Sequence, residues 1–480
     1  MTVNKWQGEE FELSADVLVV GAGATGLCAA LAAADAGCEV LVLEQTKTPL
    51  GTTAMSTGLI PAAGTPEQAA EGIEDSPELL TTDIMKKAGG RTDKAVVRAL
   101  AETSAETVAW LRERHGIPLS LVDGFLYPGH SVRRMYGTPN RTGSELMAAL
   151  EAAATASGVD IYTEARASEL FVDSDNRVRG VRITRPDGST EEIGCRMLIL
   201  ASCGFAGNEA LIERYIPELA NAVRHTHPAN QGQAILWGEA LGAEMADLDS
   251  YQGHGGLAAG HGVPILWPSI MQGGFQVNRY GQRFSNEASG YSEQARHVLA
   301  QPGSVAWTVF DNAIFDVMNQ FSDFKDALDA QAVAQADDIR TLAATVGIDA
   351  DGLEATVAEV ERFKSQGATD AFGRDFAGLP GFQPPYYAVR VTGAIFHTQG
   401  GLCVDEKGRV KRQDGSLFPN LYAGGGAARG VSGPGADGYI AGNGLLTATS
   451  LGKLAGRDAA RQLERDTAAD RGAGAYPIVG

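Results

Sequence analysis

The chain has 480 residues, of which 44% are hydrophobic and 20% charged, and its formal net charge is −20. This length predicts two or three domains, and the acidic balance argues against nucleic acid or an anionic membrane as a partner. The N-terminus is polar and no apolar run reaches membrane-spanning length, so we expect a cytoplasmic protein. The five cysteines form no CxxC pair, which argues against haem, iron–sulfur clusters and structural zinc, and we expect no metal site.

The first clear pattern is a strand, a glycine-rich turn and a helix. Residues 17–20 are apolar and predict a buried parallel strand. Gly21 allows a tight turn, Gly23 lets the backbone approach a pyrophosphate, and Gly26 lets the next helix pack on the strand. The Ala-rich run over 27–36 predicts that helix, and its N-terminal amides are suited to bind phosphates.

A second strand, predicted over 39–43, ends at Glu44. A carboxylate at this point can accept hydrogen bonds from ribose hydroxyls, and strand, glycines, helix, strand and acid in this order are much more specific than a lone glycine motif. Small and hydroxylated residues over 52–58 can also lie against a ligand. This part of the chain predicts a Rossmann-like dinucleotide-binding domain.

The rest of the chain divides by composition. The predicted elements are helices over 67–115 and 146–156, short strands over 159–200, a loop-rich stretch over 250–300, acidic helices over 324–365 and a strand over 389–395. A second glycine-rich signature covers 421–426 and 442–446. A ligand held by both ends of a chain requires a domain split in sequence. We therefore predict a binding domain in two parts, 1–250 and 394–480, with a cap (substrate) domain inserted at 251–393.

Five stretches, in order, resemble the fumarate reductase and succinate dehydrogenase flavoprotein superfamily, which includes the 3-ketosteroid dehydrogenases. They are 21–26 with Glu44, 52–58, 201–205, 277–287, and 397–401 running on to 442–444. The resemblance implies an α/β fold in which a Rossmann-like FAD-binding domain carries an inserted α+β cap domain. It also implies an active site at the junction of the two, with hydride exchange between a substrate carbon and flavin N5.

These patterns together assign the FAD contacts. The predicted FAD-binding residues are Gly21, Gly23, Ala24, Thr25, Gly26, Glu44, Gln45, Thr52, Thr53, Ser56, Thr57, Gly58, Ala201, Gly204, His397, Gly400, Gly401, Gly424, Gly425, Asn443, Gly444, Leu445 and Leu446. The histidine that succinate dehydrogenases link covalently to FAD has no counterpart in 51–56, so non-covalent FAD is expected. The helix that begins near Gly444 is expected to aim its N-terminal dipole at the flavin.

Two departures from the family pattern bear on the chemistry. Fumarate reductases are expected to carry arginines where this chain has Tyr291 and Tyr439, and tyrosine cannot supply the charged, bidentate fork that binds a carboxylate. Ketosteroid dehydrogenases carry tyrosines there, most closely the branch that introduces a 4-ene into saturated 3-ketosteroids. That branch is also expected to have a serine where this chain has Ala441, which leaves a smaller ring ketone open as the substrate.

The resemblance implies a role for each tyrosine. Tyr291 is the expected base for the proton beside the ketone, and Tyr439, helped by a backbone N–H within 442–444, is the expected donor to the ketone oxygen. Apart from the resemblance, the Tyr-rich segment 126–136 offers Tyr136 or Tyr127 as a proton relay. Each of these tyrosines has packing as its alternative role.

Three arginines bear on whether the substrate carries a negative charge. Arg133, Arg134 and Arg141 could bind the carboxylate of a small ketone such as 4-oxocyclohexanecarboxylate, or balance the acidic surface.

The sequence therefore predicts an FAD-dependent dehydrogenase that introduces a C=C bond beside the ketone of a cyclic substrate, a 3-ketosteroid or a smaller cyclohexanone. One alternative is a fumarate or enoate reductase of the same superfamily, and another is a flavin-binding subunit without turnover. No second nucleotide site is predicted, so the electron acceptor is not identified.

Overall fold

The computed structural model describes residues 2–123 and 126–473. Its strands, in chain order, are β1 (Thr2–Lys5), β2 (Leu13–Val20), β3 (Val40–Leu43), β4 (Ile60–Pro61), β5 (Ser120–Leu121), β6 (Met135–Gly137), β7 (Asp160–Tyr162), β8 (Arg166–Val172), β9 (Val178–Thr184), β10 (Thr190–Leu200), β11 (Val223–Arg224), β12 (Met245–Ala246), β13 (Tyr251–Ala258), β14 (Phe275–Val277), β15 (Val305–Asp311), β16 (Val333–Ala336), β17 (Tyr386–Thr398), β18 (Gly401–Leu402), β19 (Arg409–Lys411) and β20 (Leu417–Ala423).

The α-helices are α1 (Ala24–Asp35), α2 (Gly51–Ala54), α3 (Pro66–Ala70), α4 (Pro77–Lys87), α5 (Lys94–Glu113), α6 (Gly143–Ala156), α7 (Glu209–Tyr215), α8 (Gln233–Leu241), α9 (Pro268–Met271), α10 (Tyr291–Leu299), α11 (Asn312–Met318), α12 (Ser322–Asp329), α13 (Ile339–Val346), α14 (Ala350–Gln366), α15 (Asn443–Leu446) and α16 (Gly452–Ala473). A π-helical turn, Thr447–Leu451, joins α15 to α16. Among the helices of the described ranges, none combines the length and the apolar content that a membrane crossing requires.

The larger sheet carries the predicted dinucleotide fold. Its strands run in the order β1-β8-β9-β10-β2-β3-β7, with β20 beside β10 and β19 beside β20. Strand β2 pairs in parallel with both β3 and β10, and the apolar side chains of this centre are buried. Because helices cover both faces of such a sheet, its strands read as continuous apolar runs. This finding confirms the predicted α/β fold with a Rossmann-like FAD-binding region.

The register brings the last residues of four strands, β2, β3, β10 and β20, to one edge of this sheet. Val20 lies opposite both Leu43 and Leu200, and Leu200 lies opposite Ala423. The residues that follow these strands therefore meet at the carboxyl edge, which is where open α/β sheets bind ligands. Helix α1 approaches this edge closely, since a Cβ on Gly26 would lie 1.8 Å from the Gly21 carbonyl oxygen.

The second sheet is built around β17. Strands β11, β13, β15 and β16 pair with β17, and β14 pairs with β15. These strands come from residues 223–398, a span that includes the predicted cap segment. A separate apolar core, with Phe310, Phe324 and Val389 among its buried residues, packs on the sheet. The end of β17 lines a large cavity, so this sheet forms one wall of the candidate site.

One element in this region differs from the prediction. The sequence pattern predicts only helices over 324–365, but β16 lies between α12 and α13 and pairs antiparallel with β17. Four residues between two helices give too short a pattern to reveal a strand, and pairing with β17 decides their conformation.

Candidate active site

A large cavity opens at the carboxyl edge of the main sheet and extends to the end of β17. It contains about 2040 Å³ of empty space, including the part open to solvent. Its lining runs from the glycine loop after β2 to Phe396, His397 and Thr398 at the end of β17, so one cavity joins the predicted dinucleotide site to a second region.

The dinucleotide end is built by β2, β3 and the start of α1. The Glu44 carboxylate accepts hydrogen bonds from the Ala22 amide at 3.1 Å and from the Thr46 amide at 2.9 Å, so it braces the glycine loop. Helix α1 begins with no side-chain cap, and Ala24 and Thr25 at its start line the cavity. An uncapped helix N-terminus of this kind favours an anionic ligand.

Two buried polar atoms in this part of the cavity support its fit to FAD. Ser202 Oγ and Gln233 Oε1 belong to cavity-lining residues, and neither has a hydrogen-bond partner in the described structure. Buried polar groups normally have a partner, so a polar ligand is expected to supply it. At Gly23 a Cβ would meet only Thr53 Oγ1, at 3.7 Å, so this glycine keeps the loop surface open to a ligand.

The structure divides the predicted FAD-binding residues into two groups. Those that line the cavity are Gly21, Gly23, Ala24, Thr25, Glu44, Gln45, Thr52, Thr53, Ser56, Thr57, Ala201, His397, Gly425, Gly444 and Leu445. Those that do not line it are Gly26, Gly58, Gly204, Gly400, Gly401, Gly424, Asn443 and Leu446. At each glycine of the second group a Cβ would come within 3 Å of a neighbouring atom, so these glycines allow close packing of the chain around the cavity.

The other end of the cavity is aromatic. Tyr291, the first residue of α10, and Tyr439 pack edge to face with ring centroids 5.9 Å apart. The His254 ring stacks on Phe396 at 5.0 Å and lies 5.3 Å from the Tyr291 ring, while Trp267 lies 6.0 Å from Tyr291. Such a wall suits a flat or ring-shaped apolar ligand.

Burial governs the protonation of both tyrosines. Removal from water raises the pKa of Tyr291 well above its ordinary value, and the neighbouring Tyr439 raises that pKa further. Burial also raises the pKa of Tyr439, while a hydrogen bond from the Gly444 backbone N–H opposes this rise. The hydroxyls of Tyr291 and Tyr439 also share a hydrogen bond, which raises the pKa of Tyr291 and lowers that of Tyr439, so the two oxygens lie in contact at this end of the cavity.

The buried histidines of the cavity are neutral near pH 7. Burial lowers the pKa of His254 to about 3 and that of His397 to about 4. His254 Nδ1 accepts a hydrogen bond from the Gly256 amide at 3.0 Å, which assigns the ring hydrogen to Nε2. His397 Nδ1 lies 3.0 Å from Nε2 of the Gln399 side chain. These rings act as flat, uncharged walls.

At the aromatic end, the described lining residues include no arginine. Arg166 lines the other end of the cavity, next to Glu44, where the Ala165 amide donates to the Glu44 carbonyl. Arg134 is fully buried in ion pairs with Asp75 and Asp83. Carboxylate binding by charged forks, as expected in fumarate reductases, therefore has no counterpart among the described residues at this end.

The other two arginines of the predicted cluster also lie outside the cavity lining. Arg133 pairs with Glu71 and Asp123, and Arg141 does not line the cavity. Their predicted role as a carboxylate site is not supported by these positions.

The structure brings Tyr127, and not Tyr136, to the cavity. Tyr136 lies on β6 between Met135 and Gly137, and adjacent residues on a strand point to opposite faces. Met135 lines the cavity, whereas the Tyr136 hydroxyl contacts Thr65 and Glu67 in the interior. The position of its hydroxyl therefore does not support the predicted relay role of Tyr136.

Sequence reasoning missed several residues that line the cavity. Phe396 and Gln252 come from β17 and β13, and Asp323 comes from the first turn of α12. Phe396 directly precedes His397, so strand periodicity near a predicted site residue is the signal that could have found it. Asp323 directly precedes the acidic helical stretch predicted over 324–365, whose pattern is that of a solvated face.

Comparisons with known proteins agree with this geometry. The chain matches the family model described as FAD binding domain over residues 16–445. It is 30% identical to a probable fumarate reductase of Shewanella frigidimarina, over 93% of this chain and 74% of that protein. It is 26% identical to the 4-oxocyclohex-2-ene-1-carboxylate 5-dehydrogenase of Sinomonas cyclohexanicum, over 94% of each.

A solved structure shares the fold over nearly the whole chain. It is a 3-ketosteroid-Δ4-(5α)-dehydrogenase from Rhodococcus jostii in complex with 4-androstene-3,17-dione, with a TM-score of 0.78 and 26% identity. The match covers 96% of this chain and 100% of that one. Similar proteins thus include both reductases and ring-ketone dehydrogenases, with the higher identity to the fumarate reductase.

Proposed function

Because the chain belongs to the FAD binding domain family, within the fumarate reductase and succinate dehydrogenase flavoprotein superfamily, we propose that this FAD-dependent oxidoreductase introduces a C=C bond beside the ketone of a cyclic substrate. The observation that carries the proposal is the pair Tyr291 and Tyr439 in an aromatic end of the cavity that holds no arginine. A neutral ring ketone fits this end, and a dicarboxylate lacks its clamp there. The 3-ketosteroids are our first choice of substrate, and smaller cyclohexanones the second.

In the proposed mechanism each tyrosine acts on a different part of the ketone. Tyr439 donates its hydroxyl hydrogen to the ketone oxygen, where negative charge develops when the α-proton leaves. Tyr291, as phenolate, removes that proton from the α-carbon. Bound FAD supplies the acceptor for the β-hydrogen, which leaves as a hydride. The aromatic walls formed by His254, Trp267 and Phe396 orient the ring and exclude water.

Product analysis tests the reaction directly. Saturated ring ketones incubated with the enzyme and an artificial electron acceptor should give the α,β-unsaturated ketone, with two hydrogens fewer by mass spectrometry. Substrate deuterated at the β-carbon should react more slowly, because that bond breaks. Unchanged ketone with every acceptor, in enzyme that retains FAD, would contradict the proposal.

A second candidate is the reverse reaction, reduction of an activated C=C bond. The raised pKa of Tyr291 keeps its phenol protonated at neutral pH, which suits a proton donor. The higher identity to a fumarate reductase points the same way. Reoxidation of dithionite-reduced enzyme by a cyclic enone or by fumarate, without oxidation of any saturated ketone, would support this candidate instead.

The pH dependence of the proposed reaction follows from the raised pKa of Tyr291. A base whose pKa is raised is mostly protonated at neutral pH, and its phenolate fraction rises about tenfold per pH unit below the pKa. We therefore expect kcat/KM for ketone oxidation to rise with pH from 7 to 9 without a plateau. A profile that is flat over this range would contradict Tyr291 as the base. For enone reduction, the same residue predicts a flat profile.

We propose that FAD is held without a covalent bond. Helix α2 lines the cavity and contains no histidine that could carry such a link, and 51–56 has no counterpart of the covalent-flavin histidine of succinate dehydrogenases. Acid precipitation of the protein should leave all of the flavin in the supernatant. Flavin that stays in the precipitate after unfolding would contradict this proposal.

Glu44→Ala is expected to weaken FAD binding. The change removes the carboxylate proposed to bind the ribose and the brace on the Ala22 amide. Hydrogen bonds to a charged group stabilise by about 1.5–3 kcal/mol, which predicts a Kd for FAD about tenfold or more higher. Titration of apoprotein with FAD, followed by flavin fluorescence, measures this. The exposed Glu39 just before β3 gives the matched control, Glu39→Ala, and equal weakening by both variants would contradict the ribose role.

A further inference from the structure

Asp323 is a carboxylate at the aromatic end of the cavity. It lies in the first turn of α12 and lines the cavity with Leu266, Trp267 and Tyr127. The other lining carboxylate is Glu44, at the dinucleotide end. Asp323 raises the pKa of Tyr127, and Tyr127 in turn raises that of Tyr291, so the three side chains form a series within the same end of the cavity.

Among the described residues, none pairs with the Asp323 carboxylate to stabilise its charge. Over residues 2–123 and 126–473, the structure gives it neither an ion pair nor a hydrogen-bond donor from a side chain. Burial and the neighbouring carboxylate of Asp326 raise its pKa to about 6, so it is still ionised at pH 7.5. By contrast, the carboxylates of Asp75 and Asp83 elsewhere in the chain are paired with Arg134.

A partly desolvated carboxylate that faces a cavity is stabilised by a ligand that donates a hydrogen bond to it. We propose that Asp323 recognises the end of the substrate that lies away from the ketone, and that the substrate carries a hydrogen-bond donor there, a hydroxyl or an amine. This inference rests on the proposed function, since it assumes that the ketone lies between Tyr291 and Tyr439. It adds a polar anchor to a pocket whose other walls are apolar.

The same carboxylate selects against anions. A substrate with a carboxylate at its far end would place two negative charges together in a site where the lining arginine, Arg166, lies at the opposite end. Ring ketones that carry a hydroxyl or an ammonium group are therefore favoured over fumarate-like and 4-oxocyclohexanecarboxylate-like compounds.

A matched set of ring ketones tests the inference. Saturated 3-ketosteroids with a 17-hydroxyl or its methyl ether, and cyclohexanones with a 4-hydroxymethyl, 4-aminomethyl or 4-carboxylate group, are compared by kcat/KM with an artificial acceptor. We expect the enzyme to prefer the donor over the methyl ether by about tenfold or more within the size class it accepts. Asp323→Leu should abolish this preference, and Asp323→Asn should improve turnover of the carboxylate compound.

The control variant is Asp326→Asn, which removes an exposed carboxylate from the same helix and should retain the preference. A preference that is absent in the wild-type enzyme, or unchanged in Asp323→Leu, would overturn the inference while leaving the proposed function in place. If no ketone is oxidised, the proposed function fails, and Kd values from the shift of the flavin absorbance spectrum still test Asp323. Tighter binding of the hydroxyl compound in the wild-type enzyme, but not in Asp323→Leu, would support its role as the anchor.

Discussion

Tyr291→Phe is expected to retain FAD and to lose about 10²- to 10⁴-fold of turnover, the range typical of a general acid–base group. Phenylalanine keeps the ring contacts with His254, Trp267 and Tyr439, so the aromatic end should keep its shape. The hydroxyl that accepts the α-proton is the part removed. The measurement is kcat and KM for a ring ketone, with the flavin content of each variant determined from its absorbance spectrum.

The pH profile separates loss of the base from general damage. The variant should also lose the rise of kcat/KM with pH, because that rise comes from the Tyr291 phenolate. Tyr280→Phe is the matched control, since Tyr280 is 53% exposed and lies outside the cavity lining, and it should behave as wild type. Turnover near the wild-type level in Tyr291→Phe would remove this residue as the base.

Tyr439→Phe should lower kcat by about 10²- to 10³-fold, the usual cost of removing one donor to a developing oxyanion. The Gly444 amide, which donates to the Tyr439 oxygen, would lose that acceptor but remain at the cavity wall. The ketone would still bind between the aromatic rings. We therefore expect the loss mainly in kcat, with a smaller change in KM.

A second buried tyrosine gives the control for this variant. Tyr422 lies on β20 with its hydroxyl on Asp458, and it does not line the cavity. Tyr422→Phe should therefore retain its turnover while losing a buried hydrogen bond of similar kind. Equal losses of kcat in both variants would indicate damage to the fold and contradict the role of Tyr439 as donor.

The nucleotide fold could be predicted from the sequence because its signals are local. The signals are the turn at Gly21, the helix that starts near Ala24 and the acid at Glu44, all within 24 residues. Each of these features needs a particular type of residue, a glycine or an acid for example, so the sequence alone indicates it. Their relative positions are then set by the parallel pairing of β2 and β3. Contacts between residues far apart in the sequence do not change this prediction.

The substrate end of the cavity could be predicted only in part. Flanking motifs indicated Tyr291 and Tyr439, but which face of β6 lies toward the cavity depends on its pairing with β4 and β5, and this decided against Tyr136. Arg134 looked available for a substrate until folding brought in Asp75 and Asp83 from 59 and 51 residues away. Asp323 reaches the cavity from a helix whose sequence is typical of a solvent-exposed face.

The most direct test of the account is anaerobic titration of the oxidised enzyme with saturated 3-ketosteroids and simple cyclohexanones. We predict that at least one of them bleaches the visible absorbance of the flavin. Tyr291→Phe should slow this bleaching by about 10²- to 10⁴-fold. Bleaching by the steroids alone, or by the small ketones as well, would define the size class of the substrate. No bleaching by any ring ketone, in enzyme whose flavin dithionite reduces and an enoate reoxidises, would contradict the account.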